Sequence, residues 1–156
     1  NGSLQIQLGG TDDTLQMGMI AGWRRKFRVT MAQIVTATKS DITTNTIRGT
    51  MQFDYFIQQT SGYDSQNDES AIFWQLDGDN AGGGGGQDVV ITETIIFGGG
   101  MTMQGTVTVD IGHLSQGPHQ IFLGVYNTRK SAANAYTTVK FDNIVILGHG
   151  DNDENG

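Results

Sequence analysis

The sequence predicts an all-β protein, an antiparallel sandwich or barrel of about eight to ten strands. Three observations carry this. Apolar and polar residues alternate with a period of two in one run after another. No stretch longer than a turn or two repeats apolar residues at the i, i+3, i+4, i+7 spacing of a helix face. Turn signals recur every ~8–12 residues, as they do in sandwiches and barrels.

The first run is Leu4-Gln5-Ile6-Gln7-Leu8, closed by Gly9-Gly10. In residues 51–58, Met51, Phe53, Tyr55 and Ile57 share one face, and Gln52, Asp54 and Gln58 share the other. That is a strand with one buried face. Ala71-Ile72-Phe73-Trp74-Gln75-Leu76 ends at the turn signal Asp77-Gly78. Residues 88–97, 102–109 and 120–126 read the same way, and residues 137–147 form the last strand. Apolar residues occupy both parities around Asp142-Asn143, which predicts a bulge there or a strand buried on both faces. Residues 131–135 have room for one helical turn. The chain reads as one domain over 1–147 followed by an acidic tail over 148–156. The run Ala81-Gly82-Gly83-Gly84-Gly85-Gly86 is a loop between strands, not an interdomain linker.

Composition excludes several functions. The net charge of −7 disfavours nucleic acid, which needs Lys and Arg to neutralise phosphates. Only nine basic residues are present, and Arg24, Arg25, Lys26 and Arg28 are four of them. The absence of Cys removes disulfides, thiolate metal sites and a Cys nucleophile. No apolar run approaches the ~20 residues of a membrane-spanning helix. Abundant Thr, Gln and Asn with little Lys and Glu predict a secreted or cell-surface location.

Catalytic signatures are missing. The five-glycine run lacks the Lys-Ser/Thr pair and following helix of a phosphate loop. His113, His119 and His149 have no metal-ligand spacing, and His119, beside Pro118, reads as a surface residue. The chain is therefore read as a non-enzyme. The loop from Tyr63 to Ser70 is dense in the hard oxygen ligands that calcium prefers, and Asp142 is a carboxylate embedded among strand residues. Trp74 alternates with Phe73, so one of the two faces outward, where an aromatic ring can stack on a sugar.

Four stretches in order resemble jelly-roll, lectin-like modules of secreted bacterial and archaeal proteins, a group that includes many non-catalytic carbohydrate-binding modules. They are Gly22-Trp23-Arg24-Arg25-Lys26-Phe27-Arg28-Val29; residues 49–55 with 63–70; residues 107–124, containing Leu114-Ser115-Gln116-Gly117-Pro118-His119; and Tyr126-Asn127-Thr128-Arg129-Lys130-Ser131 running into Phe141-Asp142-Asn143-Ile144. In such modules Gly-Trp opens a strand, Leu-x-x-Gly-x-His precedes the penultimate long strand, and Tyr-Asn-x-x-Lys precedes the final one. The resemblance implies a jelly-roll sandwich with a structural calcium at Asp142, joined by Asp64, Asp68 and Glu69. It implies a polysaccharide or surface glycan as partner, with ligand contacts from Trp74, Tyr126, Asn127 and Arg129. This chain departs from the pattern at Ala132, Ala133 and Ala135, where the modules carry acidic residues. The alternative expectation is a subunit that assembles with copies of itself into a filament or surface layer, by donating a strand to a neighbour's open sheet edge.

Overall fold

A computed structural model describes residues 3–10, 16–38, 46–63, 70–78, 92–130 and 132–149. Eight strands and one short helix follow in the order β1 (Leu4–Gly10), β2 (Gln16–Val29), α1 (Met31–Thr38), β3 (Thr46–Gln59), β4 (Ser70–Leu76), β5 (Thr92–Phe97), β6 (Thr102–Ser115), β7 (Gly117–Lys130) and β8 (Ala135–His149). They form two four-stranded antiparallel sheets with strand orders β1-β8-β3-β6 and β2-β7-β4-β5. Eight described strands divided between two sheets in these orders make a jelly roll. The predicted β-sandwich is observed.

The two-residue period explains what each strand buries. Met51, Phe53 and Ile57 of β3 are fully buried, as are Ile72 of β4, Ile121, Leu123 and Val125 of β7, and Val139 of β8. These residues meet between the sheets. Phe53 and Phe141 pack edge to face with ring centroids 5.7 Å apart, a preferred aromatic geometry.

Register shifts interrupt three of the described strand pairs, β3–β8, β3–β6 and β4–β5, the last between Ile72 and Phe73. The bulge expected at Asp142-Asn143 is present: the β3–β8 register shifts between Gln52 and Asp54, and Asn143 sits at φ 49°. The strand is not buried on both faces, since Val145 and Leu147 are each 45 % exposed. The second bulge lies where β3 meets β6, at Gly49 and Thr50. It depends on Gly112 at φ 84°, whose N–H donates to Asp110 Oδ1 over 2.8 Å.

The helix α1 was not anticipated. Thr30 caps it: Gln33 N–H donates to Thr30 Oγ1 at 3.3 Å, and Thr30 N–H donates to Gln33 Oε1 at 2.8 Å. This reciprocal pair is a capping box. Ile34 is its buried anchor, and the helix packs against β3 and β8 at one end of the sandwich. The single turn expected near residues 131–135 is a tight turn over the described residues 132–134, with Asn134 at φ 55°, before β8 begins at Ala135. Two motif positions also move. Trp23 lies in the middle of β2 rather than opening it, and Tyr126 to Lys130 belong to β7 rather than to a loop before the last strand.

Candidate binding groove

β1 covers only half of β8. Leu4 pairs with Phe141 and Gly10 with Ala135, so β8 beyond Phe141 is paired on one side only, by β3, among the described residues. Beside residues 142–148 lies a groove of about 990 Å³. It spans roughly 23 Å for seven extended residues. Ile144 and Ile146 line it from β8, while Trp23, Arg25 and Phe27 form the opposite wall from β2. Those three residues of β2 alternate along the strand and so point the same way, into the space between the sheets. Leu4 bounds one end. Ala32 and Gln33 of α1 bound the other, near Ile47 and Gly148. Trp23 and Phe27 are half-buried, and Arg25 and Arg28 are exposed. The groove thus combines apolar walls with a few polar groups, as ligand sites do.

Phe27 is backed by His119. Their rings stack with centroids 5.5 Å apart. His119 is buried, not on the surface as expected. Its Nδ1 lies 2.7 Å from Asp77 Oδ2, and its Nε2 lies 2.8 Å from the Ser115 carbonyl oxygen. Both partners are acceptors, so the ring satisfies both only as the doubly protonated imidazolium. Burial is the largest single influence and favours the neutral ring. The Ser115 carbonyl and the hydrogen bond and charge of Asp77 together outweigh it, and the pKa is raised. Asp77, at φ 52°, also holds Gln120 through paired contacts of 2.7 Å, from its own N–H to the Gln120 carbonyl and from the Gln120 N–H to Oδ1.

The residues expected to contact a ligand are scattered. Asn127 is fully buried at the other end of the sandwich. It accepts from Ser70 Oγ at 2.7 Å and donates to the Tyr63 hydroxyl at 2.8 Å and to Thr137 Oγ1 at 3.3 Å. Gln59 donates to Ser70 Oγ and Thr137 Oγ1, each at 3.0 Å, and accepts from Gly100 N–H at 3.2 Å. This network ties β3 and β8 of one sheet to β4 and β7 of the other. Its members bond each other, which makes a buried polar cluster tolerable. Trp74 pairs with Leu123 and points into the sandwich, partly buried against the core. Phe73 is therefore the outward ring of that pair, yet it is covered by Phe122 and Tyr126. Phe122 in turn lies over Gly22 and Gly124, where a Cβ would meet its ring at 2.5 and 2.7 Å. The Tyr126 hydroxyl donates to Glu93. Arg129 is half-buried on β7, which also carries the fully buried Lys130.

Of the calcium residues, Asp64, Asp68 and Glu69 lie outside the described residues. Tyr63 and Ser70, which flank them, belong to the network around Thr137. Asp142 is exposed at the β1 end of the groove, roughly 17 Å along β8 from Thr137. Its Oδ1 accepts from the Asn143 N–H at 2.8 Å. Asp54, opposite Asp142 in the register, accepts from Thr106 Oγ1 at 2.5 Å and Asn143 Nδ2 at 2.6 Å, and these bonds hold its pKa below the usual carboxylate value. No group of three His, Asp or Glu among the described residues is placed to hold a metal ion.

The groove was missed because a pattern of alternation does not say which strands pair or pack. Comparison with protein families, with characterised proteins and with solved structures finds no match for this chain.

Proposed function

We propose that this chain is a non-catalytic binding module that takes an extended polymer in the groove beside β8. The observation that carries the reading is the groove itself, with the rings of Trp23 and Phe27 on one side and Ile144 and Ile146 on the other. Trp23 and Phe27 offer apolar faces, and Arg25, Gln33 and Asn143 offer hydrogen-bond donors around them.

A surface glycan and a copy of the chain itself are the two partners expected from the sequence. Either would lie along the groove, a sugar on the rings of Trp23 and Phe27 or a strand donated by a neighbouring copy.

The test is binding of the folded domain to immobilised polysaccharides and to extended peptides, comparing the wild type with Trp23→Ala and with a distant surface control, Ile96→Thr. Ile96 is 57 % exposed on β5, the far edge of the other sheet. Loss of binding only in Trp23→Ala supports the groove. Unchanged binding in a folded Trp23→Ala refutes it.

A further inference from the structure

We propose that the outer face of β2 is a second binding surface, where a row of three cations takes an acidic polysaccharide. It goes beyond the groove, which meets β2 on the opposite face of the strand.

The row follows from alternation. Four of the nine basic residues stand between positions 24 and 28, in a chain with sixteen Asp and Glu. β2 is extended there, so successive side chains point to opposite faces. Arg25 falls with Trp23 and Phe27 on the inner side. Arg24, Lys26 and Arg28 stand together on the outer side, about 7 Å apart along the strand. All three are exposed.

The row carries no counter-charge of its own. β7 places Phe122, Gln120 and Pro118 opposite the three cations in the register, and none of these is acidic. Among the described residues no ion pair involves Arg24, Lys26 or Arg28. Asp77, which accepts from the Gln120 N–H, is engaged by His119. Three like charges side by side repel one another, and an anion laid over them relieves that repulsion. Arg24 is also held in place beforehand. Its guanidinium lies 5.8 Å over the Phe122 ring, and that ring occupies the space that Gly22 and Gly124 leave free of side chains.

The geometry selects among anions. Side chains stand perpendicular to a sheet, so the row meets a ligand lying on the face rather than a polypeptide strand joining the edge of β2. Single-stranded nucleic acid stacks its bases on exposed rings, but Phe122 is only 7 % exposed and already lies under Arg24. The net charge of −7 also opposes a phosphate backbone. A sugar chain needs neither a strand edge nor an exposed ring here. Its carboxylates or sulfates pair with the cations, and its hydroxyls match Gln120, half-buried on the same face, whose amide both donates and accepts.

The probes are a hexasaccharide of galacturonic acid, its methyl ester, which keeps the backbone and loses the charge, and a heparin hexasaccharide, which adds sulfate. Calorimetric titration measures each against the wild type, Lys26→Gln, the Arg24→Gln/Lys26→Gln/Arg28→Gln triple variant and Lys140→Gln, a control on the outer face of the other sheet. Thermal melting verifies that these exposed substitutions leave the fold intact. The proposal expects one or both charged saccharides to bind, the carboxylate and sulfate arms showing which anion is preferred. It expects the methyl ester to bind at least tenfold more weakly, the triple variant to lose tenfold or more, Lys26→Gln to lose about threefold and Lys140→Gln to lose nothing. Added salt should weaken the wild type far more than the triple variant. Binding that the triple variant leaves unchanged overturns the proposal. If Trp23→Ala abolishes that binding, the saccharide lies in the groove, and the groove reading stands while this one falls. Tighter binding of a thymidine decanucleotide or an aspartate decapeptide, lost in the triple variant, overturns the choice of polysaccharide. No saturable binding of any probe makes the row a solvated, charged edge that only deters aggregation, and the proposal fails without touching the groove.

Discussion

Replacing Asn127 with Ala should destabilise the domain without touching ligand binding. Asn127 is fully buried, and its side chain makes three hydrogen bonds that join the two sheets. Truncation removes the acceptor for the Ser70 hydroxyl, which is itself fully buried, and the amide that donates to Tyr63. Thr137 Oγ1 keeps its bond from Gln59. One orphaned buried donor costs about 1–3 kcal/mol. The small cavity and the weakened Tyr63 contact bring the total to about 3 kcal/mol. For a domain of this size that lowers Tm by roughly 6–12 °C. The assay is thermal and urea denaturation of the wild type, Asn127→Ala, Ser70→Ala and the double variant. Because Ser70→Ala removes the donor that Asn127→Ala orphans, the double variant should lose less than the two singles together, by about 1 kcal/mol. A drop in Tm under about 2 °C for Asn127→Ala, or strict additivity, would show that the network does not hold the sheets together. Lost ligand affinity with unchanged stability would return Asn127 to the binding surface.

Three further outcomes follow from the same geometry. Because the His119 pKa is raised in the folded state, its stabilising contribution is fully present below the unfolded value of about 6.5 and disappears as pH rises through the folded value. The Tm of the wild type should therefore fall over that interval more steeply than that of His119→Asn, and parallel curves would refute the assignment. Gly124→Ala places a Cβ 2.8 Å from the Ala21 carbonyl oxygen and 2.7 Å from the Phe122 ring, and should cost about 1–3 kcal/mol in urea denaturation. Arg48→Ala removes a pair with Asp110 at 2.6 Å, but both side chains are over 40 % exposed, so denaturation should register less than about 1 kcal/mol.

The sequence made strands legible and left their neighbours hidden. Met51, Phe53 and Ile57 are buried because alternation fixes which side of a strand is apolar, and that pattern is local. The bulge at Asn143 was readable for the same reason, since apolar residues change parity there. α1 was also readable in principle: Thr30-x-x-Gln33 is a capping-box signature, but eight residues are too few to repeat a helical period. His119 and Asn127 were misplaced because their burial depends on acceptors and donors far along the chain, Asp77 for one and Ser70 and Tyr63 for the other. The groove has no local signature. It lies between β8 and Trp23, Arg25 and Phe27 of β2, strands of different sheets that only the packing brings together.

The pairing of β1 with β8 governs how the chain reaches its fold. β1 and β8 join residues 125 to 137 positions apart, from Gly10 with Ala135 to Leu4 with Phe141. β4 and β5 are the one pair of sheet neighbours that are also consecutive in the strand order. Closing a loop of this length costs about 4 kcal/mol of chain entropy before its contacts repay it. Folding should accordingly be slow, on the millisecond-to-second scale of proteins dominated by non-local pairing. During synthesis the first sheet has no centre until residues 135–149 emerge, because β8 stands between β1 and β3. A nascent chain must hold β1 and β3 apart and unpaired with β8 for almost its whole length. Removing the last strand would then leave β1 with no described sheet neighbour rather than trim an edge, and such a truncated chain would unfold as a whole.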